Sequence, residues 1–336
     1  MQGLCPALEF PMRAAELWFS PDTKAKLMRT LLTPFSWLYA AGWQAYLGIY
    51  VAGIKRPKEP HVPVLCVGNL TVGGTGKTPV ALHIYEMLRA MDREVVISCS
   101  GYGSPAADNT RFAPPGELNA QEWGDEAAML RWLRPEIPLV VGRDRVKAAT
   151  LVHEQKPNSA MLMDDGFQHL PLRKHFSLVL DELHPANARC LPAGPYREPR
   201  INRGRADLLI PGKFEVNWSP PELVEPTHGA PIENPSKRVQ VMCSLGRPDR
   251  FLKSLSHAGF DVVAEYLLPD HDPLLAGNLL AAVDRGVPLV VTAKDWVKLK
   301  DRADIGVFKV WVALSEARIE PAEDFRNFLH ATLQTF

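Results

Sequence analysis

Lys77 and Thr78 close a run in which glycine recurs at positions 73, 74 and 76, and that combination handles phosphate. Glycines let backbone N–H groups turn inward around phosphate oxygens. The lysine supplies a point charge for the β- and γ-phosphates, and the following hydroxyl offers a ligand to Mg2+. The strict spacing of this P-loop asks for glycine at 71, where Thr71 stands. A tight strand-to-helix turn without a ligand would use several of the same residues. Thr71, Val72, Gly73, Gly74, Thr75, Gly76, Lys77 and Thr78 are the candidate nucleotide-binding residues.

Carboxylates are the second chemical resource. Asp164 and Asp165 end the apolar run 159–165. An aspartate there reaches Mg2+ beside bound phosphates, though an acidic turn reads the same way. Asp125 and Glu126 open a helical pattern over 124–133, where the helix dipole favours negative charge. His271 lies between Asp270 and Asp272, a polar turn or a proton-handling group whose tautomer adjacent charge can hold. Arg197 and Glu198 sit in the proline-rich loop 191–199. Residues 292–295, TAKD, lack the spacing of a guanine-specificity loop.

Positioning these groups requires alternating elements. Apolar runs at 64–67, 94–99, 138–141, 159–165 and 176–180 read as buried strands, with helices over 79–91, 124–133 and 143–153. A proline-rich stretch at 211–237 marks a boundary. Beyond it, strands at 239–245, 261–267, 287–292 and 308–313 alternate with helices at 248–257, 274–284 and 321–334. The alternation implies an α/β/α sandwich with a smaller α/β domain whose sheet is parallel. The expected units are 1–58, an N-terminal helical segment; 59–235, the nucleotide-binding core; and 236–336, a C-terminal domain closing the cleft.

Composition excludes several classes. Thirty-eight basic residues balance 38 acidic ones, so no polyanion footprint marks a nucleic-acid partner. The cysteines at 5, 66, 99, 190 and 243 form no CxxC pair, which reads as reduced thiols rather than a disulfide framework or zinc site. Charges at Arg13, Glu16, Asp22, Lys24, Lys26 and Arg29 break any secretory signal. Residues 30–54 carry no charge and are rich in Trp and Tyr. That length permits a single bilayer span. Pro34, Gly42, Gly48 and Gly53, with basic flanks at 24–29 and 55–58, fit better a helix lying in an anionic membrane surface. A helix packed on the protein's own core is the third arrangement.

The order of motifs carries a resemblance. TVGGTGKTP, SGYG, GDE, DDGFQH, LPAGPYREP, LGRPDRF, PDH and TAKD follow one another as in the tetraacyldisaccharide 4′-kinase (lipid A 4′-kinase) family, from about residue 30 onward. The resemblance implies a P-loop kinase fold with an N-terminal membrane-associated helix, working peripherally on the cytoplasmic face of the inner membrane. It implies transfer of the ATP γ-phosphate, with Mg2+, to the 4′-hydroxyl of a glycolipid disaccharide. No obligate protein partner is evident. By matching position, Asp125 is the general base and His271 supports it, improving a base that a helix N-terminus alone would leave too acidic. The same match implies that Asp165 lies near the transferring phosphoryl group with Lys77 and that Thr78, Glu126 and Asp164 hold Mg2+. The resemblance further implies that Tyr102, Arg145 and Gln168 meet the substrate and that Arg197 and Glu198 lie near the nucleotide. Ser100, Asp272 and Ala293 depart from the family's Arg, His and Glu, and AYLGIYVAG replaces an Arg-rich stretch. The rival class is a membrane-surface P-loop ATPase switch without an acceptor; its signature lysine is Val72 here.

Overall fold

Every residue of β1 (Val64–Asn69) is buried, as happens when strands flank it on both sides and helices cover both faces. The computed structural model describes residues 14–227 and 229–334. Cys5 and Arg13, and with them the start of the stretch that bears on a secretory signal, lie outside the described residues. β1 pairs in parallel with β5 (Ala160–Asp164) and β6 (Phe176–Leu180). With β2 (Val95–Cys99), β3 (Arg111–Phe112), β4 (Leu139–Val141) and β7 (Leu208–Ile210), the sheet runs β3-β4-β2-β5-β1-β6-β7. Its short edge strand β3 pairs antiparallel with β4. The carboxyl ends of the parallel strands therefore share one rim, where open α/β sheets bind ligands.

Helices cover both faces. On one side α3 (Lys77–Ala90), α4 (Ala120–Trp123) and α5 (Asp125–Leu133) pack over Leu65, Ile97 and Leu162. On the other, α6 (Arg145–Gln155) places Ala148 and Val152 against Val64, Cys66 and Met161. Cys66, Cys99, Cys190 and Cys243 are free and buried.

A second sheet is ordered β11-β10-β12-β13-β9, from β9 (Glu222–Val224), β10 (Arg238–Cys243), β11 (Asp261–Leu267), β12 (Leu289–Thr292) and β13 (Val310–Leu314). It is parallel except for β9 at its edge. α7 (Pro248–His257) and α8 (Ala293–Leu299) accompany it. The helix expected over 274–284 is absent: the segment is a chain of turns beginning at Leu274 in the left-handed region, φ 58°. Its apolar spacing is real, since Leu274, Leu280 and Val283 enter the core. Arg302 takes the carbonyls of Leu274 and Ala276, which a helix would have used internally.

The expected boundary at 236 also differs from the structure. β8 (Glu215–Trp218) and β14 (Ala317–Glu320) form an antiparallel ribbon, and α9 (Ala322–Leu333) returns to the first sheet. Phe325, Leu329 and Leu333, spaced four apart, drive that return by burying one helical stripe with Phe214. The last 20 or so residues thus belong to the first core, and β9, from the expected linker, belongs to the second sheet.

At the N-terminus α1 (Ala14–Phe19) precedes α2 (Thr23–Val51), which runs through Pro34 without interruption. α2 docks on the core through Ser36, whose hydroxyl donates to Cys190 O at 2.8 Å and accepts from Ala193 N at 2.9 Å. Tyr39 Oη donates to Arg197 O at 2.8 Å. No helix among the described residues is long and apolar enough to cross a membrane. Ser36→Ala would leave the buried Ala193 N–H without its partner and take from Cys190 O one of its two donors, the other being Gly194 N, weakening the docking of α2 by about 1–3 kcal/mol. Amide hydrogen exchange over residues 30–51 should then speed up roughly tenfold or more; unchanged exchange there would show that Ser36 does not hold the helix.

Candidate active site

The loop between β1 and α3 is built by Asn69. Its side-chain amide donates to Thr71 O and to Thr75 Oγ1, each at 2.8 Å. Gly73 and Gly76 adopt φ 100° and 83°, which side chains rarely take. Space also requires Gly76, because a Cβ there would come within 2.5 Å of the Trp218 ring. Val72 N donates to Pro195 O and Arg197 N to Leu70 O, so the 191–199 loop flanks the cradle. Lys77 is the first residue of α3, nearly buried, with Nζ 3.5 Å from Asp165 Oδ2. The loop's free N–H groups and the helix N-terminus make an anion site. Beside it, a cleft of about 340 Å³ is lined by Thr71, Thr75, Leu180, Tyr196, Ile210 and Trp218.

Three carboxylates crowd the end of β5, and their surroundings separate them. Asp165, held at φ 56°, accepts from Arg197 Nη1 at 2.9 and 2.8 Å. Burial works against its charge, but Lys77 and Arg197 outweigh burial and hold its carboxyl below the usual range. Asp164 is different. Burial, then the charge of Glu126, push it up to about 7. The Thr78 hydroxyl favours its charged form, yet among the described residues neither Asp164 oxygen completes a hydrogen bond. Burial likewise raises the Glu126 carboxyl, with Asp165 and Asp125 adding to the effect against Lys294 and Lys77. A buried, unsatisfied carboxylate with a second one close by asks for a cation. Among the described residues no three His, Cys, Asp or Glu side chains form a closed metal cage. Mg2+ commonly takes only one or two carboxylates plus phosphate oxygens. Thr78, Asp164 and Glu126 fit it.

Asp125 begins α5, and its Oδ2 lies 3.0 Å from His271 Nδ1. Gly124 permits this, because its Cα packs against Gly101, where a Cβ would lie 3.2 Å from Gly101 Cα. Lys294 of α8 approaches the same Oδ2 at 3.5 Å. Burial opposes the charged form of Asp125, but the His271 hydrogen bond and the Lys294 ammonium prevail and hold its carboxyl at about 2. The expectation that His271 makes Asp125 a stronger base is therefore reversed: the contact stabilises the carboxylate. Tyr102 is exposed at the rim, with its ring edge-on to His271 at 5.1 Å.

Three expected ligand contacts face inward instead. Arg145, 3% exposed, spends its guanidinium on Ser98 Oγ and Asp164 O. Gln168 Nε2 donates to Asn69 O and Glu198 Oε1. Glu198 is fully buried and also accepts from Arg205, which stacks on Phe167. A polar end already paired inside the fold cannot reach substrate or nucleotide, so these residues brace the loops around the cradle. Arg197 likewise reaches Asp165 rather than the open cleft. Asn69, Trp218 and Lys294 join the site without standing out in the sequence; the lysine's only signal there is its place in TAKD.

Comparison with known proteins places the chain among its relatives. The tetraacyldisaccharide-1-P 4′-kinase family matches residues 28–334. Tetraacyldisaccharide 4′-kinases similar to the chain include that of Rhodopseudomonas palustris strain BisA53, 31% identical and covering 96% of both chains. That of Alkalilimnicola ehrlichii is 35% identical, covering 93% of this chain and 94% of the relative. Among solved structures, the "apo" form of LpxK from Aquifex aeolicus in complex with ATP superposes with a TM-score of 0.75 at 27% identity, over 91% of this chain and 99% of that one. The phosphate cradle, the buried carboxylates at its floor and this match along nearly the whole length lead to one conclusion: the chain belongs to the tetraacyldisaccharide-1-phosphate 4′-kinase family.

Proposed function

We propose that the chain transfers the γ-phosphate of ATP to the 4′-hydroxyl of a tetraacyldisaccharide 1-phosphate. The observation that carries this reading is the meeting of two parts at one rim: the cradle ending in Lys77 and the Asp125–His271 pair. ATP phosphates sit on the loop 71–78, and the nucleoside occupies the cleft bounded by Leu180, Ile210 and Trp218. Mg2+, held by Thr78, Asp164 and Glu126, would neutralise charge on the phosphate oxygens. Lys77 and Asp165 flank the transferring group, the lysine stabilising charge and the aspartate keeping lysine and Arg197 in place. Asp125 orients the acceptor hydroxyl and takes its proton as the new P–O bond forms. A carboxylate this acidic is a weak base, but phosphoryl transfer rests mainly on positioning and charge neutralisation. Tyr102, at the rim, meets the disaccharide. Family membership argues against an ATPase switch with no acceptor.

The glycolipid also gives α2 a purpose. Its outward face exposes Leu27, Leu31, Phe35 and Leu38, a stripe at helical spacing, with Phe35 61% and Leu38 73% exposed. Basic residues flank both ends at Lys24, Lys26 and Arg29 and at Lys55, Arg56 and Lys58. We place this face in the cytoplasmic leaflet of the inner membrane, where the acyl chains of the acceptor reside.

Asp125→Ala should lower kcat on a detergent-solubilised tetraacyldisaccharide 1-phosphate by about 100-fold or more while ATP still binds; Lys77→Ala should impair both. A near-normal rate for Asp125→Ala would remove that residue from the chemistry. Asp164 yields a stability test. Its carboxyl titrates near 7 folded and near 4 unfolded, so between those values folding takes up a proton and stability falls as pH rises. Without Mg2+ and ATP, Asp164→Asn should therefore melt several degrees above wild type at pH 7.5, and the gap should close toward pH 4. A lower melting point at pH 7.5 would mean that the carboxylate is satisfied after all. For the membrane face, Leu31→Glu with Phe35→Glu should weaken binding to anionic vesicles on the order of 100-fold, leaving ATP affinity in detergent intact. Unchanged vesicle flotation would reject that face.

A further inference from the structure

We propose that Lys294 is a positioning residue that fixes His271 as an Nδ1–H donor to Asp125, so that Asp125 alone receives the acceptor's proton. The inference rests on the reading of Asp125 and His271 given above and adds a residue to it.

Lys294 reaches the pair from the second sheet. Its Nζ lies 3.3 Å from His271 Nε2, 3.5 Å from Asp125 Oδ2 and 3.5 Å from Asp270 Oδ1, with the side chain only 15% exposed. Burial alone would depress its ammonium, but Asp125 and Asp270 outweigh burial and keep it charged. An ammonium has donors and no acceptor. The ring nitrogen facing it must therefore offer a lone pair. A neutral imidazole with its lone pair on Nε2 carries its proton on Nδ1, and that N–H points at Asp125 Oδ2, 3.0 Å away. The opposite tautomer would set N–H against ammonium at one end and lone pair against carboxylate at the other. A doubly protonated ring would face the Lys294 cation across 3.3 Å. One form satisfies both contacts.

The consequence concerns where the proton goes. Nδ1 already holds a proton, so none can pass across the Oδ2 contact from Asp125 to the ring. Nε2, the only other position, is covered by Lys294. His271 then orients the carboxylate and does not itself act as the base.

Every element around the pair contributes a charged or polar group: Asp125 and Glu126 from α5, Asp270 from the 270–272 loop, Lys294 and Lys298 from α8, and Tyr102 from the turn after β2. The loop needs holding, because His271 is kept at φ 60°. α8 supplies that as well. Lys298 donates to Asp272 O at 2.8 Å, and Asp295, fully buried, accepts from Ser244 N and from Thr292 Oγ1.

The test uses the full-length chain in detergent, labelled with 15N-histidine, and long-range 1H–15N correlation spectra; His271→Asn identifies the residue's signals. Wild type should show the proton on Nδ1 and an unprotonated Nε2. Lys294→Met should let Nε2 take up a proton while Nδ1–H stays on Asp125, so that both ring nitrogens carry protons in the spectra, and lower kcat by about tenfold or more, with KM for ATP changed by no more than about twofold. Lys294→Arg, which keeps a donor and a charge, should keep the tautomer and recover most of the rate. The nine other histidines report in the same spectra whether each variant remains folded. An Nε2–H signal in wild type would overturn the proposal. So would a Lys294→Met variant that loses rate with Nε2 still unprotonated, since the lysine would then act on the phosphoryl group directly. If Asp125→Ala retains turnover, the base reading fails on its own, whatever the spectra show.

Discussion

The contact between Asp125 and His271 spans 146 residues of chain and joins one sheet's helix to the other sheet's loop. Neither residue is in place by itself. Asp125 needs the close approach of Gly124 and Gly101 backbones, which only residues without a Cβ permit. His271 needs a left-handed backbone that Lys298 and the Asp272 turn hold in position. Packing brings the two halves together: Val297 of α8 enters the first core, while Met129, Trp132 and Leu133 of α5 lie against the second. The hydrophobic effect aligns α5 with α8, and the polar pair sits at the rim of that seam.

The same rim holds more negative charge than it compensates, and the imbalance is uneven. Asp165 has Lys77 and Arg197; Asp125 has His271 and Lys294. Asp164 and Glu126 lack cations of comparable closeness, and burial raises both. Placing like carboxylates in a low-dielectric site costs free energy unless a cation binds. A protein selected for stability alone would not keep Asp164 unsatisfied. The division into satisfied and unsatisfied carboxylates is what, in the proposed mechanism, separates groups that position the reaction from groups that would hold a metal.

Much of this arrangement is legible in the amino-acid sequence. Glycines around Lys77, the apolar run ending in Asp164 and the Gly-Asp-Glu helix start each obey a local rule, and local rules survive folding. What the sequence hides is of another kind. Arg145, Gln168 and Glu198 are polar residues in functional motifs, and nothing in their spacing says whether a side chain turns to the ligand or to the carbonyl behind it. The 274–284 segment has helical apolar spacing, but Arg302, far along the chain, takes its carbonyls. α9 follows its own periodicity, yet the sheet it covers is decided by Phe214, more than a hundred residues earlier. Lys294 gives no local sign of its role because its meaning is a distance to His271, set wholly by tertiary packing.

The helix proposed to meet lipid is also part of the wall of the phosphate site. Tyr39 of α2 donates to the carbonyl of Arg197, whose amide bonds Leu70 O and whose guanidinium grips Asp165 beside Lys77. Ser36, one turn earlier, ties α2 to Cys190 and Ala193 at the other end of the same loop. Two hydrogen-bonded steps and an ion pair therefore lead from α2 to the lysine of the cradle, through a proline-rich loop with little freedom to absorb a shift. Were α2 only a tether, apolar contacts would suffice to hold it, and hydrogen bonds to the loop that braces the cradle would add desolvation cost without need. Their presence argues that the orientation of α2 on the core is specified, as the proposed entry of a glycolipid from the leaflet toward Asp125 would require.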